Sequence, residues 1–274
     1  MSSRTKDVEI NLRAFDIKRI KQDAIIILLG RRSTGKSVMV RDILYHNRHI
    51  PIGTVISRTD HLVHFYDKFI PGMLIHKRYE PVILDKVFKR QEKAIAEKWA
   101  NPNSFLLLDD CLPDAKNFNK DERVAEIFYN GRHYKLLFIL TMQTPMAIPP
   151  GFRTNIDFTF ILKNNNGGDR ERIFKNYANM FETREQFEIV LDSCTEDYNC
   201  LVIDNTTKSN KLEDQVFYYK AGMHEDFRIC SNSVWQINSQ NFNNTVETTG
   251  HTTTVVNTKN GKGKVIIKKK VLKQ

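Results

Sequence analysis

Short apolar runs punctuate the chain, and most are followed by a polar turn and a stretch with helical spacing. Residues 24–29 form a continuous apolar run with three isoleucines, the pattern of a strand buried on both faces. From 36 to about 46, Val38, Met39, Ile43 and Leu44 share part of one helical face. "IGTVIS" (52–57) and "GMLIH" (72–76) read as short strands. "EPVILDKVFKRQEKAIAEKWA" (80–100) reads as a helix with Val87, Ala94 and Ile95 turned inward. "SFLLLDD" (104–110) is another buried strand, closed by two acids. "DERVAEIFYNGRHY" (121–134) is expected to be a helix stopped near Asn130 and Gly131. "KLLFILTMQ" (135–143) and "IDFTFIL" (156–162) read as strands, 168–178 and 183–194 as helices, and 199–205 and 215–221 as late strands. Apolar strands alternating with helices predict a three-layer α/β fold with a mainly parallel central sheet.

Composition changes near Arg228. Residues 229–264 are rich in Asn, Thr and Ser and lack the spaced apolar positions a core needs, so a flexible tail is expected. "VIIKKKVLK" (265–273) is expected to order as a strand on a partner. The chain carries +10 overall. Beyond Arg228 seven lysines face one acid, Glu247, which puts +6 of that charge in the tail. A basic tail on a mildly basic body suits a polyanionic partner.

Four cysteines, Cys111, Cys194, Cys200 and Cys230, form no Cys-x-x-Cys and no zinc spacing, so reduced thiols in a reducing compartment are expected. The first twenty residues lack a signal-peptide apolar core, and no apolar run is long enough to span a bilayer. A soluble intracellular protein is the expectation.

Residues 30–37, "GRRSTGKS", match Gly-x4-Gly-Lys-Ser between a buried strand and a helix. Gly30 and Gly35 permit tight turns. The backbone N–H groups through Ser33, Thr34, Gly35, Lys36, Ser37 and Val38, with the helix N-terminus, suit a β-phosphate. Lys36 can reach the β- and γ-phosphates and Ser37 can ligate Mg²⁺. Arg31 and Arg32 can meet phosphate, a neighbouring subunit or solvent. Asp109 ends a buried strand at the edge where this loop emerges, which makes it the second candidate for Mg²⁺. Asp110 can position or activate the attacking water, or cap a turn. Thr141 and Gln143 end the next strand, and Gln143 can touch both γ-phosphate and water. Another strand and a long helix lie between the loop strand and the acidic strand. That fits the ATPase division with an additional strand between them. The chain has no Asn-Lys-x-Asp motif, so ATP is favoured over GTP.

Ring ATPases complete their site with a cation from the adjacent subunit. Arg153 and Arg132 are the leading candidates, with Arg170 and Arg172 weaker; the sequence does not choose between them. Segments 117–123 and 163–170 are candidate pore loops. A helicase-like ATPase, a small-molecule kinase and a nucleotide-gated assembly protein remain as alternatives.

"LLGRRSTGKS", "FLLLDD", "YNGRHYKLLFILTMQ" and "FRTNIDFTFILK" together resemble the DNA-packaging ATPases of nucleocytoplasmic large DNA viruses. These belong to the FtsK/HerA-like division of phosphate-loop ATPases, and the likeness covers roughly residues 20–219. The resemblance implies a P-loop NTPase fold of the ASCE/RecA-like kind over 1–228, with a basic tail over 229–274. It implies a homo-oligomeric ring, hexamer or pentamer, that uses ATP and Mg²⁺ to pump double-stranded DNA into a preformed capsid. It implies Lys36 and Ser37 for nucleotide and metal, Asp109 for metal, Asp110 near the attacking water, Gln143 as sensor, and a trans-acting arginine. Members commonly carry an aspartate pair where bacterial relatives have Asp-Glu. Capsid or internal-membrane proteins would be further partners of a chain that is not itself an integral membrane protein. Its place would be the viral factory in the host cytoplasm, or the virion.

Overall fold

The computed structural model describes residues 9–111, 118–246, 251–257 and 264–270. Along the chain the elements are β1 (Arg13–Ala14), β2 (Ile25–Leu29), α1 (Lys36–His46), β3 (Gly53–Ser57), α2 (Asp60–Val63), β4 (Ile75–His76), α3 (Pro81–Ala96) and β5 (Ser104–Asp109). They continue with α4 (Glu122–Asn130), β6 (Leu136–Met142), α5 (Pro150–Arg153), β7 (Phe158–Ile161), α6 (Gly167–Tyr177), α7 (Arg184–Cys194) and β8 (Asn199–Asp204). Last come α8 (Leu212–Gln215), β9 (Val216–Lys220), α9 (Asn232–Val246), β10 (His251–Asn257) and β11 (Lys264–Lys270).

Nine strands form one sheet in the order β1-β9-β8-β7-β2-β6-β5-β3-β4. Only the pairs β7–β8 and β8–β9 are antiparallel. The expected mainly parallel sheet is therefore present, and β6 lies between β2 and β5. Alternate residues of β2 feed two cores: Ile25, Ile27 and Leu29 one, Ile26 and Leu28 the other. Side chains of α3, α4, α6 and α7 cover the first, and Met39, Val40, Ile43 and Leu44 of α1 cover the second. A sheet covered on both faces needs uniformly apolar strands, which is what 24–29 and 104–109 provide. All five residues of β2 are buried.

Local chemistry sets the helix starts. Asp121, Asn166 and Thr183 cap α4, α6 and α7 by accepting backbone N–H bonds. Two inward assignments from the sequence need correction. Ile95 is exposed and Val38 lies on the outer side of α1; Ile83, Leu84 and Phe88 do the packing in α3. The segment 72–76 is mostly a 3-10 turn, with a strand of only two residues.

Past Arg228 the chain does not leave the body at once. Ile229 is fully buried and its N–H reaches the Phe69 carbonyl at 3.0 Å. Trp235 Nε1 donates to the Ile229 carbonyl at 2.8 Å, and Asn238 Oδ1 accepts from Met73 N at 2.9 Å. The expected boundary after Arg228 thus falls within a packed segment, and α9 is a helix that the Asn-rich sequence did not suggest. The lysine-rich strand β11 pairs with β10 of the same chain as an antiparallel hairpin. The buried Asp42 of α1 accepts from Tyr219 Oη at 2.6 Å and meets His224 Nε2 at 2.5 Å, tying the segment after β9 to α1.

Cys194, Cys200 and Cys230 are free thiols, and Cys111 is buried. Among the described residues no helix is long and apolar enough to cross a membrane. Candidate pore residue Asn117 lies outside the described residues. The rest of that segment is held to the fold: Asp121 accepts from Tyr79 Oη at 2.5 Å and Arg123 pairs with Asp85 at 2.9 Å. In the other candidate segment Asn164 is buried and Arg170 pairs with Asp192.

Gly53 stands opposite Phe105 in the β3–β5 pair. A Cβ on Gly53 would come within 2.1 Å of that ring, so the aromatic fills the space a side chain would need. Gly53→Ala is expected to destabilise the fold by about 1–3 kcal/mol through overpacking. A urea melt checks this; an unchanged midpoint would show that the ring can move aside freely.

Candidate nucleotide site

The loop after β2 folds as its residues require. Gly35 has φ +98°, a conformation L side chains rarely adopt. A Cβ on Gly30 would stand 2.6 Å from Thr34 Oγ1 and 3.0 Å from Leu162 Cβ. Thr34 Oγ1 donates to the Arg31 carbonyl at 2.8 Å, closing the loop on itself. Ser33 also has a positive φ, 62°. Gly35 caps α1 without a side-chain bond, so no capping side chain occupies the N–H groups that begin the helix at Lys36, Ser37 and Val38. Arg31 and Arg32 are exposed.

Lys36 is buried. Its Nζ donates to the carbonyls of Gly30 at 2.9 Å and Arg31 at 3.1 Å, and lies 3.4 Å from Asp110 Oδ2. An ammonium lodged among carbonyls and one carboxylate is set where an anion seated on the loop would meet it.

The acids come from the neighbouring strands. Parallel pairing puts Ser57, Asp109 and Thr141 side by side at the ends of β3, β5 and β6. Thr141 Oγ1 donates to Asp109 Oδ1 at 2.8 Å, and Ser57 Oγ donates to Asp109 Oδ2 at 3.3 Å. Asp110 follows with φ 46°. That turn sends its backbone N–H to Thr141 Oγ1 at 3.0 Å and its Oδ2 to Gln143 Nε2 at 3.0 Å. Lys36, Asp109, Asp110, Thr141 and Gln143 therefore meet at one edge of the sheet, as strand-end reasoning expected.

Asp109 is buried. Burial pushes its carboxyl pKa up; the Thr141 bond opposes this, and the Asp110 charge adds to it. Tyr66, which the sequence did not mark, stands beside it. Its phenol is fully buried, pushed up by burial and then by the Asp109 charge, and adjoins Ser37 as well. Tyr66 Oη has no well-formed hydrogen bond to any described residue. The Ser37 hydroxyl and the buried Asp109 carboxylate, which meet about this phenol, are hard oxygen donors of the kind a hydrated divalent cation takes. Ser37 and Asp109 thus fit the role of metal ligands. Ser57 could have been found from sequence by the same strand-end logic, whereas nothing in the sequence near Tyr66 pointed to it.

The two arginines lie elsewhere. Arg132 pairs with the largely buried Asp157, whose other oxygen accepts from Ile25 N at 2.8 Å. That is the amino end of β2, the opposite edge from the loop, beside a cleft of about 770 Å³. Arg153 donates to the Ile148 carbonyl at 2.8 Å and to Asn176 Oδ1 at 3.0 Å, so internal bonds occupy both terminal nitrogens. Arg170 pairs with Asp192, and Arg172 pairs with Asp169 at 3.2 Å.

The raised Asp109 pKa has a stability consequence. The fold favours the protonated form, so the charged form costs stability at neutral pH, and the cost is relieved as pH falls through the raised folded pKa. Asp109→Asn is expected to leave thermal stability at pH 7 unchanged or raise it, by about 1 kcal/mol. A calorimetric scan checks this. A clear fall in Tm would mean the carboxylate is a structural anchor.

No family model matches the chain. The chain is similar to uncharacterized protein L437 of Acanthamoeba polyphaga mimivirus, 39% identical over 221 residues that cover 78% of each protein. It is also similar to uncharacterized protein 088R of Invertebrate iridescent virus 3, 39% identical over 197 residues, covering 72% of this chain and 75% of that one. Among solved structures it resembles the genome packaging NTPase B204 of Sulfolobus turreted icosahedral virus 2 in complex with AMPPCP. The TM-score is 0.54 at 16% identity, over 74% of this chain and all of that one. At that identity the likeness is one of fold. The resemblance carried by the motifs is borne out for family and fold. The chain belongs to the family of large-DNA-virus proteins that includes mimivirus L437 and iridescent virus 088R, built on the fold of a viral genome-packaging NTPase.

Proposed function

We propose that the chain is an ATP-driven translocase that packages double-stranded viral DNA into a preformed capsid as a homo-oligomeric ring. The observation that carries this reading is the meeting of Lys36, Asp109, Asp110 and Gln143 at the edge of the sheet where the phosphate loop turns into α1. Membership in a family of large-DNA-virus proteins, and the fold shared with a packaging NTPase, support the biological setting.

The phosphates of ATP lie along the loop N–H groups and the start of α1. Lys36 exchanges its carbonyl and Asp110 contacts for phosphate oxygens. Ser37 and Asp109 would hold Mg²⁺, which when bound neutralises charge on the β- and γ-phosphates. Asp110, released from Lys36, accepts a proton from the attacking water. Gln143 donates to Asp110, so loss of the γ-phosphate alters a bond made by the residue that follows β6. Strand β6 is central and fully buried, so a change at its end falls on the loop that follows. Arg132 is the better trans-acting arginine of the two. It is exposed, at the edge opposite the loop, where a head-to-tail neighbour would present its phosphates. Arg153 braces the segment after Gln143 against α6. Contacts to DNA phosphates from a chain of net charge +10 need no base readout.

Long duplex DNA is expected to raise ATP hydrolysis at least about tenfold at low salt and less at moderate salt. Lys36→Ala and Asp109→Ala should lose at least about a hundredfold of that rate. Hydrolysis indifferent to DNA, in an assembled preparation, would contradict the motor reading. Arg132→Ala is expected to bind ATP but lose about a hundredfold or more in kcat, and to poison mixed assemblies with wild-type chain. Rates that follow the wild-type fraction linearly, with no poisoning, would rule out a trans role.

A further inference from the structure

Beside the phosphate loop lies a second cleft, about 480 Å³, lined by Arg32, Ser33 and Thr34 of the loop and by Lys163, Asp197 and Tyr198. Lys163 follows β7, and Tyr198 immediately precedes β8. Because β8 runs antiparallel to β7, its start reaches the same sheet edge as the loop. The cleft therefore flanks the loop on the side away from Asp109 and Gln143.

Tyr198 is unusual in two independent ways. The residue is 71% exposed, yet Cδ1 stands only 3.6 Å from where a Cβ on Gly35 would be. An aromatic ring thus lies over the phosphate loop with most of its surface open. The backbone beneath it is also strained. Asp197 and Tyr198 have φ of 50° and 62°, two successive non-glycine residues in the left-handed region, one of them bulky. Short bonds hold the turn: the buried Thr195 hydroxyl donates to the Leu191 carbonyl at 2.7 Å, and Asn199 Nδ2 donates to the Glu196 carbonyl at 2.6 Å. Core packing does not offset this strain, since the ring is not in the core. Strain held beside a candidate site, and serving no packing need, points to function at the ring itself.

We propose that Tyr198 is the base platform of the nucleotide site: a purine stacks on its ring while the phosphates occupy residues 30–37. This rests on the phosphate-loop reading above. The geometry suits it, because the ring stands beside the loop and a nucleotide held by its phosphates projects its base to one flank. Lys163 and Asp197 at the rim offer a donor and an acceptor to the base edge. A stacking platform favours the larger π-surface of a purine over a pyrimidine and tolerates either purine.

The test is equilibrium binding of ATP, CTP and inorganic tripolyphosphate to the full-length wild type and to Tyr198→Ala, Tyr198→Phe and Lys36→Ala. Tyr198→Ala is expected to weaken ATP about tenfold or more, to narrow the preference for ATP over CTP, and to bind tripolyphosphate as the wild type does. Tyr198→Phe should bind ATP within about twofold of the wild type, since the ring is kept. Lys36→Ala should weaken ATP and tripolyphosphate alike. If Tyr198→Ala binds ATP like the wild type while Lys36→Ala does not, the base platform is wrong and the phosphate loop stands. If Tyr198→Ala weakens tripolyphosphate as much as ATP, Tyr198 only props the loop and the proposal is overturned. If the wild type binds neither ligand, both readings fall together.

Discussion

The insertion of β6 between β2 and β5 sets where the reactive groups of this protein stand. Parallel register puts Thr141 directly opposite Asp109. One hydroxyl then does two jobs: it donates to the Asp109 carboxylate and accepts the backbone N–H of Asp110. The first bond fixes the orientation of a buried acid. The second fixes a left-handed turn at Asp110, which swings that carboxylate back between Lys36 and Gln143. Shift β6 by one residue and its side chains change faces, so the arrangement is lost as a unit.

Part of the strain and unfavourable charge of the structure lies round this edge. Ser33, Asp110, Asp197 and Tyr198 carry positive φ, burial disfavours the charged form of Asp109, and Tyr66 Oη is left without a well-formed bond. Such features persist only where the surroundings over-determine them. Here the surroundings are a sheet packed on both faces, with β2 and β5 entirely buried. The scaffold is ordinary in its chemistry so that the edge can be costly in its own.

Much of this was legible in the sequence because the signals were strong and local. Apolar runs marked β2, β5, β6 and β8 to within a residue or two, since a strand covered on both faces has no polar alternation to blur it. Gly30, Gly35 and Lys36 were legible because few residues can make that turn. The family resemblance also came from short, contiguous stretches. What escaped was what depends on the third dimension. Tyr66, beside Phe65 and Phe69, and Tyr198 lie in segments without a motif, and only folding puts them against Ser37 and Gly35. Arg132 and Arg153 looked equivalent in sequence; Arg132 is exposed at the far edge with Asp157 as its partner, and Arg153 is bonded through both terminal nitrogens. Helix α9 was hidden because its few apolar residues, among them Val234, Trp235 and Ile237, stand among asparagines.

The proposed motor couples nucleotide chemistry at one sheet edge to movement of an intact duplex. The most direct measurement is displacement of a third strand from a duplex carrying a triplex block, with assembled protein. ATP is compared with a non-hydrolysable analogue, and separation of the two duplex strands is monitored in the same reaction. Displacement is expected with ATP, none with the analogue or with Lys36→Ala, and no separation of the duplex. Duplex separation would make the protein a helicase. Hydrolysis of ATP without displacement of the third strand would contradict the claim that this chain moves DNA.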